Sequence, residues 1–379
     1  MKKSIVILGS SGSVGRQAIN VVRNLGDTVK ITGLAVKNNI DILEKQIREF
    51  EVKIACVFDE VAAEKLRPRV PWCNIVYGMR GLCDVATYCD SDFVIMGMVG
   101  SHGILPTAKA IEAKKNIGLA NKEILVSAGE YIFKLAKDYG VNIIPIDSEH
   151  SAILQCLSGE NIKNVSRLIL TASGGPFLKY KDEEFKNIRL QDALKHPTWT
   201  MGEKVSIDCS TLMNKGFEVI EARWIFDILS DRIDVVVHPQ SFVHSFVEFI
   251  DGSMKAQIAY PNMELPIQYA ITYPDRVPRK FEPFNFKNNS KFEFYEPDRK
   301  KFRCLDLAYI ALQEGGTMPC FLNAANEVLV DRFCRGDISW LSISEKLEIL
   351  IKRHRTVSDL SVELLLEVDC EARIEASVI

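Results

Sequence analysis

A run of strand formers, Ser4 to Leu8, breaks into Gly9-Ser10-Ser11-Gly12-Ser13-Val14-Gly15, and from Arg16 to Leu25 apolar residues recur at helical spacing in Ala18, Ile19, Val22 and Leu25. A strand, a glycine turn and a helix in that order open a parallel α/β sheet. The arrangement also makes a phosphate cradle. Glycines let the backbone approach a ligand, and the helix start offers free N–H groups at the positive end of the dipole. The spacing is G-x-x-G-x-x-G, not the G-x-G-x-x-G of the dinucleotide fingerprint. The competing reading is a glycine turn in a fold that binds nothing.

The alternation continues. A second strand, Lys30 to Val36, ends in Val36-Lys37-Asn38-Asn39. An acid at that place would hold ribose hydroxyls; a cation suits a 2′-phosphate, so NADP(H) is expected over NAD(H). Lys37 could also be an ordinary surface lysine. Ile54 to Phe58 and Phe93 to Val99 read as strands. After a Gly100-Ser101-His102-Gly103 turn come a helix from Thr107 to Lys114, a strand from Ile117 to Ala120, and Asn121-Lys122-Glu123, which could cap a helix running toward Tyr139. This is the pattern of a doubly wound parallel sheet.

The next apolar run, Val141 to Ile146, ends abruptly in Asp147-Ser148-Glu149-His150-Ser151. Strand ends are where open α/β sheets bind ligands. In an extended chain Asp147 and Glu149 point the same way and need a proton or cation between them, and oxygen donors suit Mg²⁺ or Mn²⁺. The plainer reading makes Asp147 the cap of a helix from Ser151 to Leu157, with Glu149 near its first turn.

Beyond residue 150 the texture changes. A strand from Arg167 to Thr171 runs into Ala172-Ser173-Gly174-Gly175-Pro176-Phe177, an anion nest or a plain turn. His196-Pro197-Thr198-Trp199-Thr200-Met201-Gly202-Glu203-Lys204 reads as a moving loop whose aromatic covers a ligand, or else docks in a core. From about Thr211 the spacing is helical. It sets Asn214, Glu218 and Glu221 on one stripe with Lys215 beside them, which is either a site or a solvated face. Gly216 costs that helix roughly 1 kcal/mol against Ala, a hint of close packing or of a ligand near the backbone. Of the later histidines, His238 reads as structural and His244 as a group that could be active. Phe246 to Tyr260 reads as a hairpin about a type I′ turn at Asp251-Gly252. Residues 276–301 have no period and read as a linker. Leu305 to Gln313, Cys320 to Phe333, Ser342 to Arg353 and Ser358 to Ala376 read as amphipathic helices.

Composition narrows the function. A net charge of −3 gives no reason to expect nucleic acid or an anionic membrane. The ten cysteines form no C-x-x-C pair, which fits a reducing compartment without structural zinc. No stretch is long enough to span a bilayer, and Met1-Lys2-Lys3 with Ile5 to Leu8 is too short for a signal peptide. A cytoplasmic location is therefore expected.

Taken together, these blocks resemble the 1-deoxy-D-xylulose 5-phosphate reductoisomerase family over essentially the whole chain. The matching residues are Gly9 to Ser13, Leu119 to Glu123, Asp147 to His150, Ser173 to Phe177, His196-Pro197 with Trp199, Met213 to Glu218, His238 to Ser241 and Asn323 to Glu327. The resemblance implies a Rossmann-like NADPH-binding portion (1–147), a central α+β catalytic and dimerisation portion (148–275) with a lid loop (195–204), a linker (276–301) and a C-terminal helical bundle (302–379). It implies NADPH on Ser11, Gly12, Ser13, Val14, Lys37, Asn38, Asn121, Glu123 and Gly202, and Mg²⁺ or Mn²⁺ on Asp147, Glu149 and Glu218. It implies a sugar phosphate on Lys122, Ser148, Glu149, Ser173, His196, Cys209, Asn214, Lys215 and Glu218. Lys122, Glu149 and Glu218 are then the catalytic residues, and His196, Trp199 and Met201 form the lid of a homodimeric enzyme. The implied reaction is a retro-aldol and aldol rearrangement followed by hydride transfer.

The chain departs from the family at three places. Cys209 stands where a serine usually holds the phosphate, so that Ser210 takes over or Ser173, Asn214 and Lys215 carry more of it. Val36 stands where glycine is common and Thr198 where asparagine is common. Two other classes compete: a metal-independent NADP reductase, which would survive EDTA, and a non-catalytic NADPH sensor, which would not oxidise the nucleotide.

Overall fold

The computed structural model describes residues 2–195, 199, 202–278 and 281–379. Contacts divide the chain into two compact units. The first comprises residues 1–124, 131–151 and 262–281, the second 125–130, 152–261 and 282–379. The chain comes back to the first unit after residue 261, and the C-terminal helices share the second unit with residues 152–261.

The first unit is a seven-stranded parallel sheet of order β4-β3-β2-β1-β5-β6-β7. The strands are β1 (Lys3–Leu8), β2 (Val29–Val36), β3 (Ile54–Val57), β4 (Asn74–Tyr77), β5 (Phe93–Met96), β6 (Asn116–Leu119) and β7 (Ile143–Pro145). The helices between them are α1 (Ser13–Leu25), α2 (Ile40–Phe50), α3 (Glu60–Leu66), α4 (Gly78–Ala86), α5 (Ile104–Glu112) and α6 (Lys122–Tyr139), with α7 (Ser148–Cys156) after β7. This is the expected doubly wound pattern, and its strands read as continuous apolar runs because both faces are covered. Ile5 to Leu8 and Phe93 to Met96 are all within 1 % of full burial. The strand order reverses between β1 and β5, the place where such sheets bind ligands.

The second unit holds a four-stranded mixed sheet of order β11-β10-β8-β9. In chain order it comprises β8 (Val165–Ala172), α8 (Leu190–Ala193), α9 (Glu203–Thr211), α10 (Met213–Phe226), β9 (Ile233–Val237), β10 (Val243–Phe249) and β11 (Met254–Ile258). α11 (Glu264–Thr272) belongs to the first unit, where it packs on α1. The remaining helices are α12 (Arg303–Glu314), α13 (Met318–Arg335), α14 (Trp340–Arg353) and α15 (Val362–Val378). α15 starts later than Ser358 because Ser361 caps it, accepting from Leu364 N at 3.1 Å.

Three expectations are corrected. The β10–β11 turn is not type I′, which needs positive φ at both central residues; Gly252 alone has it (φ +82), and Asp251 instead accepts from Ser253 N and Oγ at 3.0 and 2.6 Å. Residues 203–204 are not loop, because α9 begins at Glu203. Among the described residues the stretch 276–301 has no helix, but it is no loose tether. Phe292 and Phe294 stack on the His238 ring, and Tyr295 pairs with Val237. His238 is structural, as expected: Glu293 O lies 2.9 Å from its Nδ1, its Nε2 accepts from Phe242 N, and burial lowers its pKa.

Candidate active site

At the first glycine turn, Gly9 has φ +88, and a Cβ there would meet Gly97 O at 2.6 Å; a Cβ on Gly15 would meet Gly9 O at 2.2 Å. These two glycines let helix and strand close up. Gly12 is exposed and caps α1 without any side-chain bond, so the first-turn N–H groups of Ser13 and Val14 face outward past it. Sequence reading missed the support beneath. Ser10 Oγ donates to Gln46 Oε1 at 2.7 Å, and Gln46 Nε2 donates to Ser10 O at 3.1 Å, both buried. Lys37 and Asn38 are exposed at the end of β2, with Asn39 capping α2, and Val36 is buried in the sheet. Asn121 caps α6 through Ile124 N (3.2 Å) and holds Gly100 O (3.0 Å), so its side chain pins the loop after β5. Glu123 is buried in the first turn of α6.

At the end of β7 the plainer geometry is the correct one, three residues early. α7 starts at Ser148, and Asp147 accepts from Glu149 N at 3.2 Å, so the extended arrangement of Asp147 and Glu149 does not occur. The helix start gathers charge nonetheless. Lys122 Nζ lies 3.2 Å from Asp147 Oδ2, Ser148 Oγ donates to Glu149 Oε2 at 2.5 Å, and the fully buried His150 stands 3.4 Å from Asp147. His150 was missed as a supporting group, although it sits inside the Asp147–Ser151 stretch itself.

In the second unit the stripe on α10 is not a solvated face. Lys215, Glu218 and Glu221 are 4, 2 and 3 % exposed. Asn214 Nδ2 donates to Glu218 Oε1 at 2.6 Å, and Lys215 pairs with the other oxygen. Burying carboxylates on one helix is costly without compensation, and for Glu218 the amide of Asn214 and the ammonium of Lys215 supply it. Gly216 is explained by packing. Its absent Cβ would meet Ala308 Cβ of α12 at 2.5 Å.

The Ser173–Gly175 turn has two successive positive-φ glycines (+84 and +67), and a Cβ on Gly175 would meet Cys209 O at 2.7 Å. The turn is thus pressed against the end of α9, with Ser173 Oγ accepting from Gly175 N at 3.2 Å. Cys209 is partly exposed. Ser210 is not a substitute for it: fully buried, its Oγ donates to Ile207 O and accepts from Trp340 Nε1 at 2.9 Å. Of the lid residues, His196 and Met201 lie outside the described residues. Trp199 is partly buried, its ring 6.4 Å from that of the buried His244, and Gly202 is the exposed cap of α9.

Three family models match the chain: 1-deoxy-D-xylulose 5-phosphate reductoisomerase over residues 5–129, its C-terminal domain over 143–226, and the DXP reductoisomerase C-terminal domain over 258–375. The chain is 54 % identical over 375 residues to the 1-deoxy-D-xylulose 5-phosphate reductoisomerase of Protochlamydia amoebophila, covering 99 % of this chain and 98 % of that protein. The chain belongs to the 1-deoxy-D-xylulose 5-phosphate reductoisomerase family. Its fold agrees with solved members. The reductoisomerase from Zymomonas mobilis in complex with NADPH superposes with a TM-score of 0.94 at 34 % identity, covering 100 % of this chain and 98 % of that one. A reductoisomerase bound to NADPH, fosmidomycin and magnesium also gives 0.94, at 35 % identity, covering 99 % and 97 %. Among the described residues no helix is long and apolar enough to cross a membrane.

Proposed function

We propose that this chain performs the reaction of its family, rearranging 1-deoxy-D-xylulose 5-phosphate and reducing the product with NADPH to 2-C-methyl-D-erythritol 4-phosphate, in isoprenoid-precursor synthesis and with a divalent ion. The single observation that carries the reading is that acid and ammonium are gathered at two places, Lys122, Asp147 and Glu149 in the first unit and the buried Lys215, Glu218 and Glu221 on α10 in the second. Each group holds one ammonium and two carboxylates. Together they leave two negative charges, the complement of one Mg²⁺ or Mn²⁺, and all the donors are oxygens, as a hard cation wants. Asp147, Glu149 and Glu218 are the metal ligands in this reading.

NADPH lies over Ser11 to Val14, with Lys37 and Asn38 at the 2′-phosphate and Asn121, Glu123 and Gly202 further along. The open cap at Gly12 and the cation at Lys37, with no acid at the end of β2, support this placement. Substrate is held by Lys122, Ser148, Glu149, Ser173, His196, Cys209, Asn214, Lys215 and Glu218. What the bound groups supply is Lewis acidity toward the substrate oxygens and a hydride. The residues do the rest. Ser173, Asn214 and Lys215 grip the phosphate, Lys122 or Glu149 moves the proton, and the loop with His196, Trp199 and Met201 keeps water away. The enzyme acts as a cytoplasmic homodimer. The exposed edge strand β11, with Met254 49 % and Ile258 37 % accessible, supports self-association.

The test is NADPH oxidation on adding the sugar phosphate. It stops with EDTA and returns with Mg²⁺ or Mn²⁺; activity that survives EDTA contradicts the reading. NADPH is preferred over NADH in kcat/KM, and equal efficiencies would remove Lys37 from its role. Cys209→Ser provides a better donor for the phosphate, a hydrogen bond of about 1 kcal/mol, so the substrate KM falls severalfold. An unchanged KM would show that position 209 does not touch the phosphate.

A further inference from the structure

Asp208 is 1 % exposed, one residue before Cys209, yet it belongs to none of the groups assigned above. Its Oδ1 accepts from Asn326 Nδ2 of α13 at 2.8 Å, and its Oδ2 lies 2.8 Å from Lys204 Nζ, one turn back on α9. Cys304 of α12 lies beside it, and burial, with the neighbouring Asp208 charge adding to it, pushes that thiol up to about 12, so it stays neutral. Asn326 comes from the Asn323–Glu327 block, which no site residue has used. Anchoring α9 through an apolar residue would cost less, because a buried ion pair is often matched or bettered by well-packed hydrophobic groups. What a charged, directional anchor adds is register. Adjacent residues stand about 100° apart around a helix, so fixing Asp208 fixes where Cys209 points. The same anchor ties down Lys204, two residues past the exposed Gly202. On the other side, Cys209 O is the atom against which the Ser173–Gly175 turn closes.

We infer that Asp208 is a positioning residue for the phosphate end of the substrate site. Clamped by Asn326 and Lys204, it sets the rotation of α9 and so the placement of Cys209, the Ser173 turn and the first turn of α10. The inference rests on the substrate assignment proposed above. The C-terminal helices are then a splint for substrate binding and not only a stabilising appendage.

The experiment compares wild type, Asp208→Leu, Asp208→Asn, Asn326→Asp and the exchange Asp208→Asn/Asn326→Asp, each with saturating Mg²⁺. KM for the sugar phosphate, KM for NADPH, kcat and the melting temperature are read. Asp208→Leu lowers the melting temperature, because the buried Asn326 amide and Lys204 lose their partner. In the folded enzyme it also raises the sugar-phosphate KM roughly 10–100-fold, the scale of a misplaced binding group, while the NADPH KM moves far less. Asp208→Asn, which keeps the Asn326 bond, has a smaller effect. Asn326→Asp sets two carboxylates against each other and raises the same KM, and the exchange recovers at least part of the loss. Unchanged KM values in Asp208→Leu and Asn326→Asp, or a fall in stability with both KM values intact and no recovery in the exchange, would overturn the inference. Should Asp208→Leu not fold, Asp208→Asn and the exchange decide it alone. A wild type that leaves NADPH unoxidised overturns the substrate assignment itself; an active wild type with indifferent variants overturns only the role of Asp208.

Discussion

Glu218→Gln lowers kcat by roughly a thousandfold, the equivalent of about 4 kcal/mol at the transition state, with the fold unchanged. The size follows from the site. Glu218 is 2 % exposed and is the only carboxylate of the proposed metal set on α10, so no solvent takes its place. Gln keeps the volume and an acceptor for Asn214 Nδ2, so α10 holds its shape. It puts an amide against Lys215, whose buried ammonium loses the carboxylate it pairs with. The change therefore removes one negative charge, and the affinity for a divalent cation falls with it. Calorimetric titration with Mn²⁺, circular dichroism and steady-state kinetics check the three parts separately. A variant with wild-type metal titration and rate would take Glu218 out of the site.

Gly216→Val, two residues from Glu218, has its largest effect on stability instead. The branched side chain would drive into Ala308 of α12, where even a Cβ falls 2.5 Å from the neighbouring methyl. Overpacking of that kind costs roughly 1–3 kcal/mol or more, against about 0.3–0.5 kcal/mol that Val, a poor helix former, regains over Gly in a helix. The urea midpoint of the second unit falls, and activity falls with the folded fraction. Unchanged stability combined with lost metal binding would mean that Gly216 clears room for a ligand rather than for α12.

These two neighbours show what the chain displays and what it hides. Periodicity reported the α10 stripe correctly, because i, i+4 and i+7 are set by the helix alone. Whether that face is wet or buried is decided by elements far along the chain, and only the fold shows that it is buried. The parallel sheet was legible because its strands are covered on both faces and read as plain apolar runs. α9 was not. Lys204-Val205-Ser206-Ile207-Asp208-Cys209-Ser210-Thr211 is poor in helix formers, and tertiary anchors through Asp208 and Ser210 impose the helix. At Asp147 the residue types suggested a cation site, while the local geometry depended on a cap that begins the helix at Ser148. Ser210 offered a hydroxyl next to Cys209, and only the Trp340 contact shows that it is already engaged.

The most direct measurement is anomalous diffraction from crystals grown with Mn²⁺. One manganese peak is predicted, with carboxylate oxygens of Asp147, Glu149 and Glu218 at roughly 2.0–2.3 Å, the range of hard divalent ions on oxygen. A peak coordinated without Glu218, or manganese bound only elsewhere, would contradict the account.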